Sequence, residues 1–434
     1  MWHVSAGLPC SRCVFRRSQS SMDRLSLKLK RLSANTIVAN CLWMFGGGVG
    51  RTVTALGSNL VLMWYVLPEE FGRFALVQAT IGLVAGTANF KIRNIIIRAS
   101  SQELETGGKD FLFSALVIES VLLGLGTLCL LWGGGLWDLW AGVLLFGTIA
   151  THWGIVMFAY YERSFHYRNL ALLESCAYML SYVLTSVAAI LGIGYPVLYV
   201  RILIEAIGIF SGLVFVGGMV TFRLRWLFLH DWKTLYCRFR GMWLDGWLEH
   251  FFERLVILMV GWMAGEKTAG CFFQARRLAG VPQILMVPVT EKLAYNYFSH
   301  RVAADRGLHI LGQTLAVQLG FLVVVGVAVY FVASPLIPML FGVQWEPVVP
   351  LLQAMTGVVL GLSPFGTLKA FCMARNRMRP FVLLGRGVQY GALAGAALAI
   401  LVYHVPAALT LAVSLSAGYV LGGLALFVFR RGLL

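Results

Sequence analysis

From about residue 37 the chain alternates between long apolar runs and short polar connectors that are mostly basic. An α-helix rises 1.5 Å per residue, so about 20 apolar residues cross the roughly 30 Å of hydrocarbon in a bilayer. The runs predict spanning helices over 37–63, 74–97, 111–132, 137–160, 170–191 and 196–220, then over 242–264, 270–290, 309–333, 347–373, 381–402 and 406–429. That is an all-α polytopic membrane protein of about twelve transmembrane helices. The longest connector, around Thr221 to Arg240, falls between the sixth and seventh runs. It divides the chain into a basic tail (1–35), a first six-helix half (36–232) and a second (233–434).

A repeat across that division sharpens the picture. NLVLMWYVLPEEFGRFALVQATIGLV, from Asn59, parallels LVILMVGWMAGEKTAGCFFQARRLAGV, from Leu255, with Gly72 matching Gly270 and Phe74 matching Phe272. The turn ERSFHYRNLALL, from Glu162, likewise parallels ARNRMRPFVLL, from Ala374. Two six-helix copies that start on the same side are a parallel repeat, related by a pseudo-two-fold axis along the membrane normal, with a central cavity between them.

Composition agrees with this reading. Hydrophobic residues make up 59% of the 434 and charged residues 12%, and mean hydropathy is +0.78, values foreign to a soluble globular chain. A net charge of +16 suggests nucleic acid only where the charge gathers on a soluble surface. Here it lies in alternate connectors: Lys91 to Arg98, Arg163 and Arg168, Arg223 to Arg240, Lys292 to Arg306, and Arg375 to Arg379. The opposite connectors carry only Arg73, Arg201 and Lys267. This bias predicts cytosolic termini at both ends and no nucleic-acid partner. The eight cysteines are scattered and give no disulfide framework, and Cys10 and Cys13 form a lone CxxC too sparse for a metal site. Met22 is an alternative start, ahead of the amphipathic lead-in DRLSLKLKRL.

Candidate chemistry lies in the charges that interrupt the apolar runs, because charge at membrane depth is costly and marks a polar path or a pair. Cations in the spans are Arg51, Arg254, Arg276, Arg277, Lys369 and Arg386, which together predict an anion-binding cavity. Arg51 and Arg254 fall at mid-span in the first helices of the two halves, where each reads either as cavity lining or as a member of a buried structural ion pair. Arg276 and Arg277 are about 100° apart on a helix, so one is expected to line the cavity and the other to pair with an acid or reach headgroups. Arg386 either lines the cavity or snorkels to the cytosol.

Asp245, Glu249 and Glu253 recur every four residues and form one acidic stripe, with Glu119 and Glu205 deep in other spans. The stripe reads either as a proton or sodium path or as neutralisation of Arg51, Arg276 or Arg277 across the cavity. Gly46, Gly47 and Gly48 are no phosphate loop, since no GK[ST] follows, so ATP-driven transport is not encoded. No catalytic constellation, metal site or other cofactor is expected beyond H+ or Na+ coupling.

LPEEFGRFAL (Leu67 to Leu76), AGEKTAGCFFQARRLAGVPQ (Ala264 to Gln283) and SPLIPMLFGVQWEPVVPLLQ (Ser334 to Gln353) carry a resemblance. The chain resembles the bacterial oligosaccharide flippases of polysaccharide biosynthesis, relatives of lipid II flippases and of multidrug and toxin extruders. It departs from them before PEEFG, where Trp64 to Leu67 replace the usual Arg and Gly, and at the more basic NFKIRN.

The resemblance implies movement of an undecaprenyl-pyrophosphate-linked oligosaccharide across the bacterial cytoplasmic membrane by alternating access. Glycosyltransferases and a polymerase of the same pathway are the implied partners. An ion-coupled exporter of small amphiphiles and a membrane glycosyltransferase or polymerase are the alternatives. Six intramembrane cations disfavour cationic drugs, and the short outer connectors, poor in acid clusters, disfavour the enzyme.

Overall fold

The computed structural model describes residues 46–99, 101–162, 167–215, 220–226, 229–287, 304–375 and 378–429. The tail with its CxxC and Met22, and Pro288, lie outside these residues. All regular secondary structure among the described residues is helical. Helix α1 covers 46–65. It is followed by α2 (Pro68–Ala88), α3 (Lys109–Gly133), α4 (Leu139–Glu162), α5 (Tyr167–Ile190) and α6 (Pro196–Phe215).

The element Leu229–Ala279 is two helices, because Gly265 at its middle has φ 82° and ψ 170°. That backbone suits a residue without Cβ, and the chain reverses there. Helix α7 leads up to Gly265 and α8 leads away from it. The series closes with α9 (Ala304–Phe341), α10 (Thr356–Ala374), α11 (Gly387–Tyr403) and α12 (Ala407–Val428).

Among the described residues, ten stretches are long and apolar enough to cross a membrane, with the α7–α8 hairpin counted once. Opening that hairpin and adding α1, which leads straight into α2, gives twelve crossings. This is an all-α multi-pass membrane protein in two six-helix halves. Its short connectors gather at one end, and the connectors carrying Lys91, Arg93, Arg223 and Arg225 at the other, here called the basic end.

Several boundaries differ from the sequence expectation for physical reasons. Helix α2 starts at Pro68 rather than at 74, because proline fits a first helical turn and Glu70 Oε2 accepts the backbone N–H of Leu67 at 2.9 Å. It ends at Ala88 rather than at 97, because Lys91 takes φ 55° and starts a separate short helix, Ile92–Arg98. Helix α9 continues to Phe341 through Pro335 and Pro338. The expected run 270–290 breaks near Gly280, where the short helix Val281–Val287 begins.

The repeat is visible at atomic scale. A Cβ placed on Gly72 would lie 1.8 Å from the carbonyl oxygen of Glu266, and a Cβ on Gly270 would lie 1.8 Å from that of Pro68. Each glycine thus meets the carbonyl four residues before its repeat partner, so the pseudo-two-fold passes between them. Such close backbone approach is how helices associate where lipid offers no hydrophobic drive.

Near this crossing Trp345, fully buried, donates its indole N–H to the carbonyl of Met63 at 2.8 Å and meets Phe71 edge-on at 5.5 Å. Toward the basic end α2 continues against α7. A Cβ on Gly86 would meet His250 at 2.8 Å, and Trp243 and Trp247 donate to Thr87 at 3.1 and 3.2 Å.

Candidate functional site

The acidic stripe of α7 faces α8, α10, α11 and α12 of its own half. Lys369 Nζ of α10 lies 2.8 Å from Asp245 and 2.5 Å from Glu249. Arg386, one residue before α11, lies 3.3 Å from Asp245 and 3.0 Å from Glu249. Its guanidinium also donates to Gln389 and stands over the rings of Phe365 and Phe381, at 5.3 and 5.5 Å. At the third step of the stripe Glu253 takes Arg276 at 2.6 Å and the hydroxyl of Tyr419 at 2.9 Å. The stripe therefore neutralises Lys369, Arg386 and Arg276 within the second half, and not Arg51 or Arg277 across the cavity. Of the two alternatives for Arg386, snorkelling to the cytosol does not fit a side chain that is 2% exposed.

A buried ion pair contributes little net stability, but removing one partner strands the other at a cost of about 3–5 kcal/mol. The three-on-three arrangement thus leaves the stripe and its three partner cations with no net charge. Glu249 keeps 41% of its side chain exposed and Lys369 22%. Charged groups in a bundle stay exposed where they meet a polar space rather than lipid.

The first half holds a second set. Arg51 pairs with Glu174 at 2.8 Å and approaches the Tyr178 ring at 6.0 Å. Arg201 does not belong to a connector, where the sequence placed it. It lies within α6, 3.9 Å from Glu205 and 4.7 Å over the ring of Tyr182. Glu119 lies 2.8 Å from His152 of α4 and accepts the backbone N–H of Phe90 at 3.2 Å.

Among the described residues, two sequence-predicted cations form no ion pair. Arg277, beside Arg276 in sequence, points the other way, across to the first half. It donates to Asn59 of α1 at 2.6 Å and reaches the hydroxyl of Tyr182 of α5 at 3.5 Å. Asn59 in turn donates to Gln274 at 3.0 Å. Arg254 lies against Gly82 of α2, where a Cβ would come within 2.7 Å of its Nε, and that Nε is buried without a hydrogen-bond partner. Among the described residues neither guanidinium has a carboxylate within ion-pair distance. The structure does not gather all six predicted cations at one point: Lys369, Arg386 and Arg276 are neutralised in the second half, Arg51 pairs separately, and Arg254 and Arg277 lie on the seam between halves.

Sequence reasoning passed over Asn59, Tyr182, Tyr419 and His152. Asn59 is a lone amide in an apolar helix, a signal the sequence does carry. The tyrosines and the histidine look like ordinary residues of apolar spans until their partners are placed.

Residues 61–350 match the family described as polysaccharide biosynthesis protein. The chain belongs to this family. Among solved structures it is similar to the lipid II flippase MurJ in an inward closed conformation, with 12% identity, a TM-score of 0.65, and 91% of this chain and 87% of that one covered. It is also similar to an inward-facing multidrug resistance MATE family transporter of the MOP superfamily, at 14% identity, TM-score 0.57, with 90% and 93% covered. A MOP superfamily transporter from Pyrococcus furiosus gives 14% and 0.54, with 92% and 95% covered. At these identities the likeness is one of fold. No similar protein is found among curated sequences. Family and fold together make this a multi-pass membrane protein with the architecture of a transporter.

Proposed function

We propose that this protein is a flippase that carries an undecaprenyl-pyrophosphate-linked oligosaccharide from the cytosolic to the outer leaflet of a bacterial cytoplasmic membrane. It works by alternating access between its two halves. The carrying observation is Arg277, a guanidinium of the second half held at the seam by neutral groups of the first, with Arg254 on the same seam. A cation compensated only by an amide and a phenol keeps its attraction for an anion. Arg also presents a planar fork that matches pyrophosphate oxygens bidentately.

Neutralisation of the other cations gives the site its selectivity. A cavity with six uncompensated cations would bind a pyrophosphate and not release it. Here four are already paired, so the field at the seam is moderate. The exposed carboxylate of Glu249 and the tyrosine hydroxyls offer hydrogen bonds to sugar. A cationic amphiphile, the alternative cargo, meets like charge at Arg254 and Arg277.

Opening toward either side must break contacts between halves, and the two ends differ in kind. At the short-connector end the seal is backbone packing at Gly72 and Gly270 plus Trp345. At the basic end it is the indole donors of Trp243 and Trp247 on Thr87. In cells that make the polymer, deletion of the gene should cause labelled lipid-linked sugar to accumulate on the cytosolic leaflet. Polymer made at the normal rate with no accumulation would contradict the proposal.

A further inference from the structure

The polar groups around Arg277 form a network that ends in donors. Arg277 donates to Asn59 Oδ1 at 2.6 Å, which leaves the Asn59 amide nitrogen to donate to Gln274 Oε1 at 3.0 Å. This fixes the orientation of both amides, since reversing either would set donor against donor. Gln274 lies one turn before Arg277 on α8 and is fully buried, and its Nε2 has no hydrogen-bond partner among the described residues. A buried donor without an acceptor is costly, so each one calls for an explanation.

The facing groups of the first half end in donors too. Tyr178 and Tyr182 place their hydroxyls 3.3 Å apart, so one O–H serves that contact and the other has no acceptor among the described residues. The ring of Tyr182 carries the guanidinium of Arg201 at 4.7 Å, and its hydroxyl meets Arg277 at 3.5 Å. Two cations, one from each half, are thus held on one phenol and lie within electrostatic reach of each other.

The carboxylates do not cancel them. Glu205 stands 3.9 Å from Arg201, at the outer limit of an ion pair, and Glu174 is taken by Arg51 at 2.8 Å. One unit of positive charge is left over in a cluster already rich in donors. Arg201 keeps 16% of its side chain exposed, so a solute in the polar space between the halves can reach it.

We infer that Arg201 is the first half's share of the anion site, and that with Arg277 it clamps a diphosphate between the halves, Gln274 Nε2 adding a neutral donor. A pocket of unanswered donors and surplus positive charge selects a ligand that only accepts, as phosphate oxygens do. Two guanidinium forks, each engaged bidentately, ask for more oxygens than a phosphate monoester leaves free, and a pyrophosphate diester supplies them. Glu205 is the internal competitor for Arg201, and the ligand displaces it.

The inference rests on the flippase reading for its cargo, but its test moves nothing across a bilayer. The full chain in lipid nanodiscs, free of lipid-linked sugar, would be titrated calorimetrically at pH 8 with methyl phosphate and with P1,P2-dimethyl pyrophosphate. Both probes are dianions there, so a difference between them reports the second fork rather than charge. Wild type should bind the diester about tenfold more tightly, the worth of one further charge-assisted contact.

Glu205→Gln, which frees Arg201, should tighten diester binding by about threefold, a gain that a misfolded variant cannot give. Adding Arg201→Gln to it, which restores the net charge of the cluster, should erase the preference for the diester. Gln274→Glu, which keeps an acceptor for Asn59 and sets a negative oxygen where the free donor stood, should abolish binding of both probes. Equal affinity of the wild type for the two esters, a preference that survives without Arg201, or undiminished binding to Gln274→Glu would overturn the inference. The clamp can be found in a protein that fails to translocate, and translocation can survive the loss of the preference, so the two readings fail separately.

Discussion

Arg276 and Arg277 are adjacent in sequence and opposite in partner, and the contrast gives a direct test of what each cation is for. Asp245→Leu leaves Lys369 and Arg386, the latter 2% exposed, to share the single carboxylate of Glu249, so one buried charge loses its partner and unfolding free energy should fall by about 3–5 kcal/mol. Arg277→Ala strands only neutral groups, Asn59 and Tyr182, and should cost about 1–2 kcal/mol. Thermal unfolding of the two variants in detergent should separate them clearly; equal losses would mean that Arg277 is a structural cation like the others.

Lys91 adds a pH signature outside the spans. Burial and then the nearby Lys369 ammonium hold its pKa below the ordinary lysine range. The unfolded chain therefore binds more protons than the folded one between the two pKa values, and stability contributed by this group rises with pH across that window. Lys91→Gln should flatten that rise in a melting series carried into the alkaline range.

At this scale the sequence was only half legible. The period of four in Asp245, Glu249 and Glu253 shows one stripe, and the stripe is there. Its partners come from α8, α10, the turn before α11 and α12, up to 166 residues away, and no local spacing encodes such pairing.

The element that best shows sequence and structure agreeing is α2 with its repeat partner α8. The matched Gly72 and Gly270 are read off the sequence, and the structure shows why neither position tolerates a side chain. A Cβ at 1.8 Å from a carbonyl oxygen forces the helices apart, and overpacking of this kind costs about 1–3 kcal/mol even where a core can relax. Gly270→Val should loosen the short-connector end.

Trp345→Ala should do the same by a different route, removing the indole that closes on Met63 and Phe71. Cys271, 1% exposed and next to Gly270, is a natural reporter. With the other seven cysteines replaced, a membrane-impermeant thiol reagent should label Cys271 in both variants and leave the parent untouched. Unchanged protection would show that this crossing is not part of the closure.

What the sequence missed among elements were ends rather than existence. Helix α2 begins in the charged PEEFGR, which a hydropathy window rejects although its proline and glutamates suit a first turn. It stops at a lysine in the left-handed region, which hydropathy does not see.

Taken whole, the molecule is a symmetric scaffold with asymmetric charge. Both halves use the same glycine crossing, yet the second half matches three acids to three cations around α7 while the first holds a histidine–carboxylate pair and offers Asn59 and Tyr182 to Arg277. The scaffold was visible as twelve apolar runs and a parallel repeat, because crossing a bilayer constrains every residue of a span. The charge asymmetry was visible only as composition, since its meaning depends on which residues meet.

The central claim, that the seam between halves binds a pyrophosphate and carries its sugar across, is tested most directly in proteoliposomes. Purified protein would be reconstituted with a fluorescent undecaprenyl-pyrophosphate-linked disaccharide, and its arrival in the opposite leaflet read by an impermeant quencher. The account predicts protein-dependent translocation that Arg277→Ala slows by about a hundredfold, as loss of about 3 kcal/mol of charge-assisted binding would require. Protein that folds and reconstitutes but moves no probe, or an Arg277→Ala variant as fast as the parent, would contradict it.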